Sequence, residues 1–243
     1  MTSDRAHGAP AISLAGVRKS YQALRPLRLK SLEIAAGERV AISGLDAGAA
    51  EVLIDLVTGA ALPDEGEVRV FGRATAEITG GDEWLASLER FGIVSARAVL
   101  LEAATLEQNL AMAYTLTIDP VPPDVASRVA ALAEECGIPV GQAAGWLARH
   151  FGEAPPEVRA RVRLARAVAL DPALVLIEHP TAGIASAAQA ALADDFVRVL
   201  EGRRLAALLM TQDAVFAGRV AQRVLKLLPA TGEFQPVRRG WFR

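Results

Sequence analysis

The chain has 243 residues, 52% hydrophobic and 22% charged, enough to bury one large core or two small ones. Its net charge of −2 and pI near 6.0 exclude the basic surface field on which nucleic-acid binding depends. A lone cysteine, Cys136, excludes a disulfide framework and predicts a reducing compartment, expected to be the cytoplasm; apolar runs break at Asp171-Pro172 and at Thr211-Gln212-Asp213, short of the ~18 residues of a membrane span.

No cleavable leader is expected, so any membrane association is expected to be indirect. Residues 11–42 alternate apolar and polar positions in short runs: Ile12, Leu14 and Val17, then Leu27, Leu29, Leu32 and Ile34, then Val40 and Ile42. This spacing predicts strands, with Ala36-Gly37-Glu38 as a turn before a buried strand ending at Ser43. After Gly44, the residues Val52, Leu53, Leu56 and Val57 recur at helical spacing, and Thr58-Gly59 closes that helix. Pro63-Asp64-Glu65-Gly66 reads as a turn into the alternating strand 67–72, and a further strand is expected over Phe91–Val94. Residues 106–147 read as helical, broken at Asp119-Pro120-Val121-Pro122-Pro123, with Val125, Val129, Leu132 and Ala133 on one face. Pro155-Pro156 opens a helix whose stripe is Val158, Val162, Ala165 and Val168, ringed by Arg159, Arg161, Arg163 and Arg166. Leu174 to Ile177 is apolar throughout, as in a parallel strand buried on both faces, and residues 205–210 and 224–228 repeat that character. Alternating strands and helices predict a layered α/β fold.

The strand into Ser43, the loop from Gly44 and the helix after it have the frame of a phosphate-binding loop. The pattern G-x-x-x-x-G-K-[ST] supplies inward N–H groups, a lysine for the phosphates and a hydroxyl for Mg²⁺. Here Ala49, Ala50 and Glu51 hold the last three places. A carboxylate at Glu51 would repel a triphosphate by ~4 kcal/mol at ~4 Å and an effective dielectric of ~20.

Residues 164–183, LARAVALDPALVLIEHPTAG, together with Val57-Thr58-Gly59, residues 63–68 and residues 105–110, resemble the nucleotide-binding subunits of ABC transporters from about Ile12 to Leu228. The resemblance implies a P-loop NTPase-like ABC ATPase fold: a mixed central sheet, an antiparallel β subdomain and a helical subdomain. The chain is expected to be one such domain, with about 1–95 and 165–230 as core and β subdomain, about 96–164 as helical subdomain and 231–243 as tail. It also implies a machinery for Mg-ATP and water whose stations are replaced here. The lysine falls on Ala50 and the Mg²⁺ hydroxyl on Glu51; the Q-loop glutamine falls on Ala96. The signature L-S-G-G-Q falls on Ala154, Pro155, Pro156, Glu157 and Val158, where two prolines remove N–H donors. The Walker B aspartate becomes Glu178, the catalytic glutamate His179, the switch histidine Gln212 and the D-loop aspartate Ala185. Tyr21 stands where an aromatic stacks on adenine, or else packs as a tyrosine of a half-buried strand. Tyr21, Gly44, Asp46 and Gly48 are what remains to touch a nucleotide.

The resemblance therefore implies a catalytically silent ABC-type subunit with a structural or regulatory role in a transport complex. Its expected partner is another nucleotide-binding subunit or a permease, at the inner face of the membrane. No cofactor is expected, and ATP and Mg²⁺ enter only in the alternative of a divergent ATPase using Glu178, His179 and Gln212. A stand-alone binding module reusing the fold is the third reading. His7, His150 and His179 are too scattered to predict a metal site. The tail 235–243, rich in arginine and aromatics, is expected to be a solvated terminus, with lipid headgroups or a partner groove as the alternative.

Overall fold

The computed structural model describes residues 9–141 and 145–237. His7 and the basic-aromatic end of the tail, residues 238–243, lie outside the described residues.

Two sheets organise the chain. In the first, β1 (Ile12–Lys19) lies between β2 (Leu27–Ile34) and β4 (Glu65–Val70), with the two-residue β5 (Arg73–Ala74) at the edge, all antiparallel. The pairing of β1 with β4 shifts register between Ala15 and Arg18. Two positive-φ glycines meet there, and a Cβ on Gly66 would lie 2.3 Å from the carbonyl oxygen of Gly16. Glu65 and Gly66 thus belong to the strand rather than to the turn expected before it.

The second sheet runs β10–β9–β3–β8–β7–β6. Its members β3 (Arg39–Ser43), β6 (Phe91–Val94), β7 (Leu174–Glu178), β8 (Ala206–Met210) and β9 (Arg223–Leu228) are parallel, and β10 (Glu233–Pro236) closes the edge antiparallel to β9. Parallel neighbours require crossovers. One is α6 (Ser186–Gly202) from β7 to its neighbour β8, while α7 (Ala214–Val220) carries the chain from β8 past β3 to β9. The start of the tail is therefore a paired strand, held also by a bond from the Lys30 N–H to the Gly232 carbonyl.

Both faces of this sheet are covered, which explains its unbroken apolar strands. Along β7, Leu174 and Leu176 face a core with Val40, Ile42, α1 (Ala47–Thr58) and the antiparallel sheet. Val175 and Ile177 face another core with α5 (Pro156–Val168), α6 and α7, which continues into α3 (Leu106–Ala111) and α4 (Pro123–Glu135). The architecture is α/β with a mixed central sheet, an antiparallel β sheet and a helical region.

The helical stretch expected to reach residue 147 stops at Glu135. Gly137 takes φ +76, and its N–H bonds the Glu134 carbonyl. A short helix α2 (Gly81–Leu88) precedes β6, and neither it nor α6 and α7 stood out from the sequence. Charge ties the helices together: Arg161 of α5 bonds the Asp195 carboxylate of α6, which Arg198 of the same helix also reaches, and Arg203 bonds Glu135 at the end of α4.

Candidate functional site

The loop between β3 and α1 is short because Ala47 already begins the helix. Gly44 takes φ +91, and a Cβ there would sit 2.8 Å from the Leu227 carbonyl, so only glycine fits without strain. Asp46 is the N-cap: its carboxylate accepts from the Ala49 N–H at 2.8 Å, and its carbonyl accepts from the Ala50 N–H at 2.9 Å. Gln212, following β8, spans the loop, accepting from the Gly44 N–H at 3.4 Å and donating to the Leu45 carbonyl at 2.7 Å. Ala49 and Ala50 are buried, and Gly48 is helical.

Tyr21 lies past the end of β1, not within a strand. Its ring stands 3.4 Å from where a Cβ on Gly48 would be. Burial, followed by the nearby Asp46 carboxylate, raises its pKa. Tyr21, Gly44, Asp46 and Ala49 share the wall of a cavity of about 390 Å³ with Arg25 and Leu227.

The Glu51 side chain faces solvent, one turn before Asp55. The charge of Glu51 is met by a cation, because Arg97 pairs with it. The same guanidinium reaches Glu178 Oε2 at 3.0 Å. Ser95 donates its hydroxyl to that oxygen at 2.6 Å, and the Arg97 N–H donates to Ser95 Oγ at 3.1 Å. Asp55 adds a third carboxyl, with its pKa raised by burial first and then by Glu51. Ser95, Asp55 and Arg97 were not legible as site residues. In the string Ser95-Ala96-Arg97 only Ala96 matches a family station, and nothing local in sequence shows that Arg97 lies between two carboxylates.

Glu178 ends β7 with only 9% of its surface exposed. His179 follows at φ +42 and donates its backbone N–H to the Met210 carbonyl at 2.9 Å. Pro155, extended at φ −67 and ψ 159, precedes Pro156, the first residue of α5. Ala154 and Val158 are buried there, and Glu157 is half-buried. Ala96, Ala154, Pro156, Glu178 and His179 come together around a second cavity, of about 350 Å³. Tyr21, Gly44, Asp46 and Ala49 thus line one cavity and Ala96, Ala154, Pro156, Glu178 and His179 another, while Gln212 bonds the loop and Arg97 bridges Glu51 to Glu178.

No protein-family model matches the chain. Among solved structures, cbiO1 from Clostridium perfringens, part of the ABC transporter complex cbiONQ, superposes with a TM-score of 0.75 at 17% identity, over 93% of this chain and 87% of that one. The dimeric bacterial ABC transporter cassette MJ0796 gives 0.73 at 20% identity, over 93% and 99%. The fold is that of an ABC ATPase cassette. By sequence, the cassette is similar to the phosphonates import ATP-binding protein PhnC of Anaeromyxobacter dehalogenans, 31% identical over 204 residues, 81% of this chain and 40% of that protein. It is 28% identical to the Fe(3+) ions import ATP-binding protein FbpC of Serratia marcescens, over 83% of the chain and 56% of that protein. The methionine import ATP-binding protein MetN of Brucella abortus is 29% identical over 91% and 58%. The chain is a relative of ABC transporter ATP-binding subunits, and it spans about half the length of these curated relatives.

Proposed function

We propose that the chain is an ABC-type subunit with a structural or regulatory role in a transport complex, and that it neither binds Mg-ATP tightly nor hydrolyses it. The observation that carries this reading is the bridge from Glu51 through Arg97 to Glu178. These residues do not fit Mg-ATP: an alkyl group stands at buried Ala50, and an acid already paired to arginine stands at Glu51. The N–H groups of Ala49 and Ala50 are taken by Asp46, and those of Gly44 and His179 by Gln212 and Met210. Pro155 and Pro156 remove N–H donors from the start of α5, which would present them to a second subunit.

The partner on this reading is another nucleotide-binding subunit or a permease, reached at the inner face of the membrane. Among the described residues no helix is long and apolar enough to cross a membrane. Val99 and Leu170 are exposed at 80% and 59% beside a groove of about 410 Å³, apolar surface of the kind that partner contacts cover. The chain on this reading is one domain: core and β subdomain over about 1–95 and 165–230, helical subdomain over about 96–164, and tail 231–243.

The alternative, a divergent ATPase, is favoured by the relatives' names, each an ATP-binding protein. Titration calorimetry with Mg-ATP decides between the two: a dissociation constant weaker than ~1 mM is expected. Tighter binding, or a turnover that disappears in His179→Ala, overturns the silent reading.

A further inference from the structure

Two carboxylates pair with one guanidinium at the joint between α1, the β6–α3 connection and the end of β7, and the Asp55 carboxyl lies within its electrostatic reach. Glu51 and Asp55 come from α1, Glu178 from β7, and Arg97 from the connection. We propose that Arg97 is a resident counter-ion, supplied by the chain itself, that clasps the β6–α3 connection to the first turns of α1 and closes the space between them without any ligand. The inference rests on the reading of a subunit that works without Mg-ATP, and it says what takes the place of the ligand.

The geometry separates a clasp from an incidental surface pair. An exposed ion pair alone holds little, and the Glu51 end is of that kind, with side chains 51% and 43% exposed. The other end is different: the Glu178 side chain is only 9% exposed and accepts from both Ser95 and Arg97. A buried carboxylate stripped of its partner is costly, so Arg97 is anchored from the inside. Ser95 sets the direction, because its Oγ accepts the Arg97 N–H while its own proton goes to Glu178. Glu51 then fixes the outward half of a guanidinium whose planar fork can serve two carboxylates at once. The bridge joins positions 46 and 81 apart in sequence, so its loss frees one segment against another rather than loosening a single turn.

Hydrogen exchange read by mass spectrometry on the full chain, without nucleotide, tests the clasp. In Arg97→Gln, exchange over residues 47–53 and 94–100 is expected to rise roughly threefold to tenfold, while β8 and α6 stay as in the wild type. Arg97→Lys keeps the charge without the fork and is expected to fall between. Glu51→Gln with Arg97→Gln is expected to exchange no faster than Arg97→Gln alone, because the two act through one contact. Wild-type exchange in Arg97→Gln, or fully additive effects in the double variant, overturns the proposal. If Arg97→Gln does not fold, Arg97→Gln with Glu178→Gln removes the stranded charge and serves the same comparison: faster exchange supports the clasp and wild-type exchange overturns it. Mg-ATP binding by the wild-type chain would overturn the silent reading and leave this comparison to decide the clasp.

Discussion

Asp195 forms a buried ion pair in the helical layer, so its removal strands a charge. Its carboxylate takes Arg161 at 2.7 Å through Nε and 2.6 Å through the terminal nitrogen, and Arg198 at 2.6 Å. The Arg161 and Asp195 side chains are each only 11% exposed, whereas Arg198 is 52% exposed. In Asp195→Ala, Arg161 keeps a 3.3 Å bond to the Glu157 carbonyl and little else. Stranding a buried charge costs about 3 to 5 kcal/mol, and losing the exposed Arg198 contact adds ~0 to 1 kcal/mol. At the low end, ~3 kcal/mol, with roughly 2–4 °C per kcal/mol for a domain of this size, the melting temperature falls by about 6–12 °C. Differential scanning calorimetry reads this directly. Arg161→Met with Asp195→Leu, which removes both charges and keeps the volume, is expected to recover most of the loss. A single variant melting within ~2 °C of the wild type, or a double variant no better than the single, would refute the assignment of the cost to a stranded charge.

Asp46→Ala removes the cap on Ala49 and is expected to lower unfolding free energy in urea by about 1 kcal/mol; no change would mean that the loop is held by Gln212 instead. Burial pushes the Cys136 thiol up to about 12, so at pH 8 a disulfide reagent should leave the native chain unlabelled and react once it is denatured. Labelling of the native chain at the rate of a free thiol would contradict the packing. The Asp64 carboxyl is held down to about 2, first by the backbone N–H of Ser20 at 2.6 Å and then by Lys19. Its folded pKa lies below the ordinary 3.8, so its stabilisation is present above that value and lost as pH falls toward about 2. The melting difference between wild type and Asp64→Asn should therefore hold steady above ~pH 5 and close on acidification; a difference that persists at ~pH 2 would sink the assignment.

The strands were legible because burial on both faces writes itself as an unbroken apolar run, as in Leu174 to Ile177, and half-burial as alternation, as in Ile12, Leu14 and Val17. The helix after the loop was legible through its stripe and the glycine that ends it at φ +74. The stop at Glu135 was not. A helical period says which face is apolar, but the Gly137 turn is fixed by the Asp195 carboxylate packed against it, 2.5 Å from where a Cβ would stand. The antiparallel β10 was also hidden, because Glu233–Pro236 has no pattern of its own and gains its bonds from β9.

By itself the sequence determined the layered α/β order, the likeness to ABC nucleotide-binding subunits and which residue types stand at each expected station. These are local properties of spacing and composition, readable along one line. Only the tertiary structure decided what those residues do to one another: that Tyr21 packs on the start of α1, that Gln212 bonds the loop backbone, and that Arg97 bridges Glu51 and Glu178. Electrostatic pairing depends on distance in space, and neither a 46-residue nor an 81-residue separation leaves any trace in sequence. An acid at position 51, which looked on paper like repulsion alone, is in the fold one end of an ion bridge.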